Sequence, residues 1–307
     1  MQEKPKFQWD YLSPIYWPTW LVMGLLYLTI FLPSSLRILF SKGIGVFLYL
    51  VWRKRRHIAK INIQTCFPNK TQQQQTELLK AHFFSVALGI FEIALAWWAS
   101  PKKLASIVTI HGLENINKGL HQGKGILLVS AHFTSLDIFG AFASTAIEIS
   151  AMYRKAKNPV ANYIMLKGRF NRCPALFSSK EVKNLIRFLR QNNIVWYAAD
   201  QNTARKESVF VTFFGETAST NMATARLSKI TKAAVIPFYG KRSADAKHYD
   251  IYFEPLLDHY PQGDLHQDTQ RINHIIEHWV CQIPEQYLWV HQRFRTRPNR
   301  TDPKFYE

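Results

Sequence analysis

From Ile15 to Leu32 the chain carries eighteen consecutive residues without a charge. A helix apolar on every side is not displayed to water, so this segment belongs in a core or in a bilayer. As an α-helix it covers about 27 Å, just enough to cross the hydrocarbon layer. Trp9, Tyr11, Tyr16, Trp17 and Trp20 crowd its N-terminal side, and such amphipathic rings favour a membrane–water boundary. Pro18 suits a first helical turn and Pro33 marks the end. No small-residue cleavage site follows, which argues against a removable signal peptide. A second apolar stretch, Leu36 to Trp52, is interrupted by Arg37 and Lys42 and runs into Arg53-Lys54-Arg55-Arg56 and Lys60. Before the first run, Glu3, Lys4, Lys6 and Asp10 cancel. Cations therefore gather after the apolar stretches, which puts the remaining chain on the cytoplasmic face of a membrane. The expectation is an anchoring segment over residues 1–56 and one further domain over 57–307. An amphipathic hairpin on the surface and an ordinary core helix are the alternatives to a true span.

Composition narrows the partners. Lys and Arg number 39 against 21 Asp and Glu, a formal charge of +18 over 307 residues. With 47% hydrophobic and 20% charged residues, the chain has ample material for a core and is not disordered. Cys66, Cys173 and Cys281 lie too far apart for a disulfide framework or a CxxC site, which fits a reducing compartment. The cationic excess calls for an anion: nucleic acid, a membrane surface, a phosphorylated substrate or an acidic protein.

Beyond residue 60 the pattern changes. Thr71-Gln72-Gln73-Gln74 has the form of a capping box, opening a helix that runs to about Trp98, with Pro101 closing it. Ile107–Ile110, Ile126–Ser130, Ile194–Ala198 and Ala233–Phe238 read as strands. Ser135–Ala146, Lys180–Gln191 and Asn221–Lys232 read as helices, and His248–Glu254 as a later, antiparallel strand. The Ile126 and Ile194 runs are apolar throughout, as befits strands covered on both faces. The alternation predicts an α/β fold with a mostly parallel central sheet flanked by helices.

Strand ends are where such sheets place their chemistry. His132 stands where the Ile126 strand ends, and Asp137 falls in the first turn of the next helix. On one helix these two would point about 140° apart, so they meet only if His132 stays on the loop and Asp137 reaches back. A histidine held by a carboxylate is a general base. A histidine satisfied by a carbonyl, beside a helix-end charge, is the plainer alternative. Asp200 ends the Ile194 strand, on the same sheet edge as His132. Arg169 follows a helical segment starting near Pro159 and offers a cation for an oxyanion or a phosphate. Phe213-Phe214-Gly215 and Thr217 to Asn221 lead to another helix N-terminus. Arg293, Arg295 and Arg297 alternate with Phe294 and Thr296 near the C-terminus, a pattern suited to lipid phosphates or single-stranded nucleic acid. His274-Ile275-Ile276-Glu277-His278 matches a zinc peptidase pattern, but no third ligand is evident and both histidines sit on a solvent-type face.

Taken together these motifs resemble a known family. Ser130-Ala131-His132 through Asp137 looks like the H-x4-D motif of lysophospholipid and glycerophosphate acyltransferases. Val195 to Asp200, Asn62 to Pro68 and, above all, Pro284-Glu285-Gln286-Tyr287-Leu288-Trp289-Val290-His291 resemble the lipid A secondary acyltransferases of Gram-negative bacteria. Ala131 stands where glycerophosphate enzymes carry Asn, and their Phe-Pro-Glu-Gly-Thr phosphate motif is missing. The resemblance implies a glycerophosphate-acyltransferase-like fold on the cytoplasmic face of a bacterial inner membrane. It also implies transfer of a fatty acyl chain from an acyl carrier protein thioester to a hydroxyl of a lipid A precursor. His132 would be the base oriented by Asp137. Arg169 would face the oxyanion, and Asp200 would orient Arg169 or the acceptor. Arg293, Arg295 and Arg297 would meet substrate, and the cations after the anchor would meet anionic lipids. No metal, cofactor or nucleic acid is called for. An acyl-CoA-dependent lysophospholipid acyltransferase is the neighbouring alternative, and a membrane-attached nucleic-acid-binding protein the one from another class.

Overall fold

The computed structural model describes residues 4–307, so Glu3, counted above among the charges before the apolar run, lies outside the described residues. Short 3-10 turns lead into α1 (Trp17–Leu28), α2 (Ser34–Val51), α3 (Arg53–Cys66), α4 (Gln72–Trp98) and α5 (Pro101–Ala105). Strands and helices then alternate: β1 (Val108–His111), α6 (Leu113–His121), β2 (Ile126–Ser130), α7 (Leu136–Ala143), β3 (Ile149–Tyr153), α8 (Pro159–Phe170), β4 (Leu176–Ser178), α9 (Val182–Arg190) and β5 (Ile194–Ala198). A hairpin, β6 (Ser208–Phe213) and β7 (Glu216–Asn221), precedes α10 (Ala223–Thr231), β8 (Ala234–Arg242), β9 (Tyr249–Phe253) and α11 (Leu265–Gln282).

The seven-stranded sheet has the order β1-β9-β8-β2-β5-β3-β4, and all its neighbours are parallel except β8 with β9. β2 is buried along its whole length, as its unbroken apolar run requires. The predicted antiparallel strand is β9, which pairs antiparallel with β8 and parallel with β1. Thr71 caps α4 as the capping box predicts: its Oγ1 accepts the Gln74 N–H, and its own N–H donates to Gln74 Oε1 at 2.9 Å. Pro101 opens α5 instead of closing α4, because Ser100 caps a fresh turn there.

Among the described residues three helical segments are long and apolar enough to cross a membrane: Pro14–Phe31, Ser34–Val51 and Gln72–Trp98. The third is largely buried and forms the spine of the fold. The first two are only 6% and 17% buried, and leave Trp17, Leu21, Leu25, Phe40, Phe47 and Leu50 exposed. An apolar surface of this kind makes both helices candidate membrane anchors. α2 lies close on α4, where Gly45 meets the Phe83 and Phe84 backbone with no room for a side chain. α3 runs straight through residue 56, the boundary drawn from sequence, and buries Ile58, Ala59, Asn62, Ile63 and Cys66.

The hairpin was not expected. Residues 217–221, read as an approach to a helix, are strand β7. Phe213 pairs with Glu216 across a two-residue turn, and both Phe214 and Gly215 hold positive φ, +51° and +79°, as a type I′ turn demands. Asn-Gly is the usual signal for that turn. Here Phe214 is held instead by its N–H bond to Glu277 Oε1 (2.7 Å) and its ring contact with Phe67.

Candidate active site

Parallel pairing decides which side chains meet. β2 and β5 run in register with Ser130 opposite Ala198, so His132 and Asp200, each two residues further on, emerge side by side. His132 Nδ1 lies 2.6 Å from Asp200 Oδ1, and the His132 backbone N–H donates to the same oxygen at 3.0 Å. With Nδ1 engaged there, Nε2 is the nitrogen left for a substrate. Burial by itself would raise the Asp200 carboxyl. His132, the buried Arg293 and a hydrogen bond from Tyr287 outweigh it and bring the group down to about 2, so it is a carboxylate at neutral pH.

Asp137 is elsewhere. From the first turn of α7 it accepts from Arg169 Nε (2.9 Å) and Nη2 (2.7 Å). The expectation that Asp137 orients His132, and that Asp200 orients Arg169 or the acceptor, does not match these contacts. The four residues form two pairs, His132–Asp200 and Arg169–Asp137. The physical reason is topological. Register brings Asp200 to the histidine, whereas five residues of chain carry Asp137 round the start of α7, within reach of the end of α8.

The Pro284–His291 run holds the histidine loop from the other side. Phe133 and Tyr287 form an antiparallel bridge. The Thr134 N–H donates to the Gln286 carbonyl at 2.8 Å, and the Leu288 N–H to the His132 carbonyl at 3.0 Å. Gln286 in turn bonds the backbone of Arg242 through Oε1 at 2.9 Å. Arg242, 7% exposed, is paired twice with the buried Glu92 of α4 (2.7 and 2.9 Å) and donates to Ser135 Oγ at 2.6 Å. Tyr249 adds a third bond to Glu92 (2.7 Å), and Ser85 bonds Thr134 (2.7 Å). One buried ionic network thus ties α4 and β8 to the loop carrying His132. Ser135 accepts from Arg242 inside this network, and Ser130 is also buried. Loop and packing roles suit both better than nucleophilic attack.

His132, Asp137 and Arg169 line a cavity of about 330 Å³ with mostly apolar walls, among them Trp97, Leu136, Met152 and Trp196. Gly140 gives Trp196 its place, since a Cβ there would stand 2.5 Å from the indole ring. Cys173 also lines the cavity. Burial pushes its thiol up to about 12, so it is not the thiolate that nucleophilic catalysis requires. The arrangement offers a base with a fixed tautomer, a guanidinium held by a carboxylate, and room for a hydrocarbon chain beside them.

The C-terminal cations separate. Arg293 is 2% exposed and donates to the Ser219 carbonyl (3.0 Å) and Thr220 Oγ1 (2.6 Å) behind Asp200, with Phe213 under its guanidinium. Its placement at a substrate surface is corrected: it is an interior cation that helps keep Asp200 ionised. Arg297 pairs with Glu216 at 2.9 Å, and of the three only Arg295 is exposed. His291 lies beside the dyad and accepts the Asn202 N–H at 3.1 Å. In the zinc-like pattern, His274 and His278 each bond a glutamine (Gln270 and Gln282, 2.8 Å) and Glu277 holds Phe214. Among the described residues no group of three or more His, Cys, Asp or Glu is placed to hold a metal ion. Tyr287, Arg242 and Glu92 were not singled out from sequence. Tyr287 lies within the Pro284–His291 run, while a buried Glu on α4 facing an Arg on β8 leaves no local signal.

The profile described as bacterial lipid A biosynthesis acyltransferase matches residues 4–296. The lipid A biosynthesis lauroyltransferase of Escherichia coli K12 is 30% identical over 99% of this chain and 100% of its own. The palmitoleoyltransferase of the same organism is 30% identical over 95% and 96%. The crystal structure of the 1-acyl-sn-glycerophosphate acyltransferase from Thermotoga maritima aligns over 83% of this chain and 99% of its own, with 13% identity and a TM-score of 0.37.

Proposed function

The chain belongs to the bacterial lipid A biosynthesis acyltransferase family, and on that premise we propose that it moves a fatty acyl group from an acyl carrier protein thioester to a hydroxyl of a lipid A precursor. The observation that carries this reading is His132, paired with the buried Asp200, opening on the apolar cavity beside Arg169. His132 Nε2 takes the proton of the acceptor hydroxyl as its oxygen attacks the thioester carbon. Asp200 receives the Nδ1–H bond and balances the imidazolium. Negative charge gathers on the carbonyl oxygen, where Arg169 and N–H groups at the start of α7 stabilise it. The C–S bond then breaks, and the leaving thiolate takes the proton back from His132. These steps balance with an ester formed and a thiol released.

Asp137 positions Arg169, and the cavity walls receive the donor chain. The exposed faces of α1 and α2, with Arg53 to Arg56 behind them, support attachment to the cytoplasmic side of an inner membrane with anionic headgroups. The test uses purified protein, an acyl carrier protein thioester and a tetra- or penta-acylated lipid A precursor. The wild type gains the mass of one acyl ester or more on the precursor, and His132→Ala gains none. Equal gain, or none with the wild type, rejects the reading. The acyl-CoA thioester run alongside separates the donor classes.

A further inference from the structure

A second apolar hollow, about 510 Å³, lies between α1 and α8. Trp20, Met23, Tyr27, Trp98, Tyr163 and Ile164 form its walls, and Lys167 stands on its rim. It is built by a helix held at two points and open between them. At one end Asn158 donates to Thr19 Oγ1 at 2.8 Å and Tyr163 meets the Tyr11 ring. At the other, Tyr27 meets Trp98 edge-on, 5.5 Å between centroids. Midway sits Gly24, where a Cβ would touch nothing within 4 Å.

The hollow and the catalytic cavity share a partition. Trp97 faces the cavity and Trp98 the groove; on α8, Arg169 faces the cavity and Lys167 the groove. Gly168 lets α8 lie directly on Trp97, since a Cβ would come within 2.6 Å of it. The groove's other wall is α1, whose outer side exposes Leu21, Val22, Leu25 and Leu28. One side therefore adjoins the reacting groups and the other the membrane-facing helix.

We propose that the α1–α8 groove binds an acyl chain that the acceptor lipid already carries, with Lys167 meeting its phosphorylated head. This rests on the acyl-transfer reading. An acceptor with several chains must bring one hydroxyl to His132 while its other chains stay out of water, and the cavity beside His132 is taken by the incoming chain. A groove one residue-layer away, opening towards α1, meets that need, and its exposed ammonium supplies the complement to a phosphate.

The test is equilibrium binding of a tetra-acylated lipid A precursor to detergent-solubilised full-length His132→Ala protein, where no turnover intervenes. Gly24→Phe fills open space in the groove. Gly43→Phe on α2, where a Cβ also meets nothing within 4 Å, is the control outside it. Gly24→Phe weakens binding about tenfold, the equivalent of roughly two methylenes denied burial, and Gly43→Phe leaves it unchanged. Lys167→Gln weakens binding of the phosphorylated lipid and not of its dephosphorylated form. Unchanged affinity in Gly24→Phe, an equal loss in Gly43→Phe, or no binding at all overturns the proposal. So does an equal loss for phosphatidylglycerol, which makes an ordinary bilayer lipid the occupant. If the Gly24 dependence holds while the wild type never acylates the precursor, the function fails and the groove stands.

Discussion

His132 and Asp200 lie two residues beyond a matched pair on adjacent parallel strands, and their side chains meet at 2.6 Å. Fixed by sheet register, this contact resists small loop movements. Removing the carboxylate while keeping the shape, Asp200→Asn, leaves the histidine without its counter-charge and its tautomer unset. A kcat loss on the order of 10²–10⁴ is expected. Combined with His132→Ala the loss is no greater than for His132→Ala alone, because the two act as a unit. Additive losses in steady-state kinetics contradict the pairing.

Asp137→Asn acts through Arg169. With the guanidinium released, rate falls by an amount that Arg169→Gln already incurs, so the double variant resembles Arg169→Gln. If Asp137→Asn is instead non-additive with Asp200→Asn and additive with Arg169→Gln, Asp137 belongs to the histidine after all.

Glu92 and Arg242 are buried, and removing one leaves the other charged and unpaired. Glu92→Gln costs about 3–5 kcal/mol, read as a lower thermal midpoint of the solubilised protein. Its activity at low temperature falls through kcat, since the Ser135 and Thr134 contacts hold the His132 loop. A stable variant with wild-type kcat rules out this role for the network.

His291 carries a pH dependence of stability. Burial draws its ring down from the ordinary 6.5 to about 4, in keeping with Nε2 accepting the Asn202 N–H. Between those values the unfolded chain binds a proton that the folded chain does not, so stability falls as pH drops through that window. From pH 7 to pH 5 the wild type loses about 2 kcal/mol more than His291→Gln. Parallel melting curves against pH for the two proteins exclude the effect.

Much of this was legible in the chain. Unbroken apolar runs announced β2 and β5, the capping box announced α4, and strand-end positions put His132 and Asp200 on one sheet edge. What the sequence did not disclose is pairing. H-x4-D invites a local partner, yet which carboxylate reaches the imidazole depends on β2 lying next to β5 in register, a contact across 68 residues. The C-terminal arginines misled for a related reason. Alternation with polar and aromatic residues reads as a surface, but Arg293 finds acceptors on β7, a strand whose turn, Phe214-Gly215, has Phe where the usual signal has Asn. β4, three residues long, is too short to show a period.

Acyl transfer to lipid A by the His132–Asp200 pair is tested most directly by the lipid A mass spectrum of cells. A strain lacking this protein should accumulate lipid A short of at least one acyl ester. The wild-type gene should restore that mass, while His132→Ala and Asp200→Asn, present in the membrane at equal amount, should not. Restoration by both variants, or a spectrum unchanged by the deletion, contradicts the account.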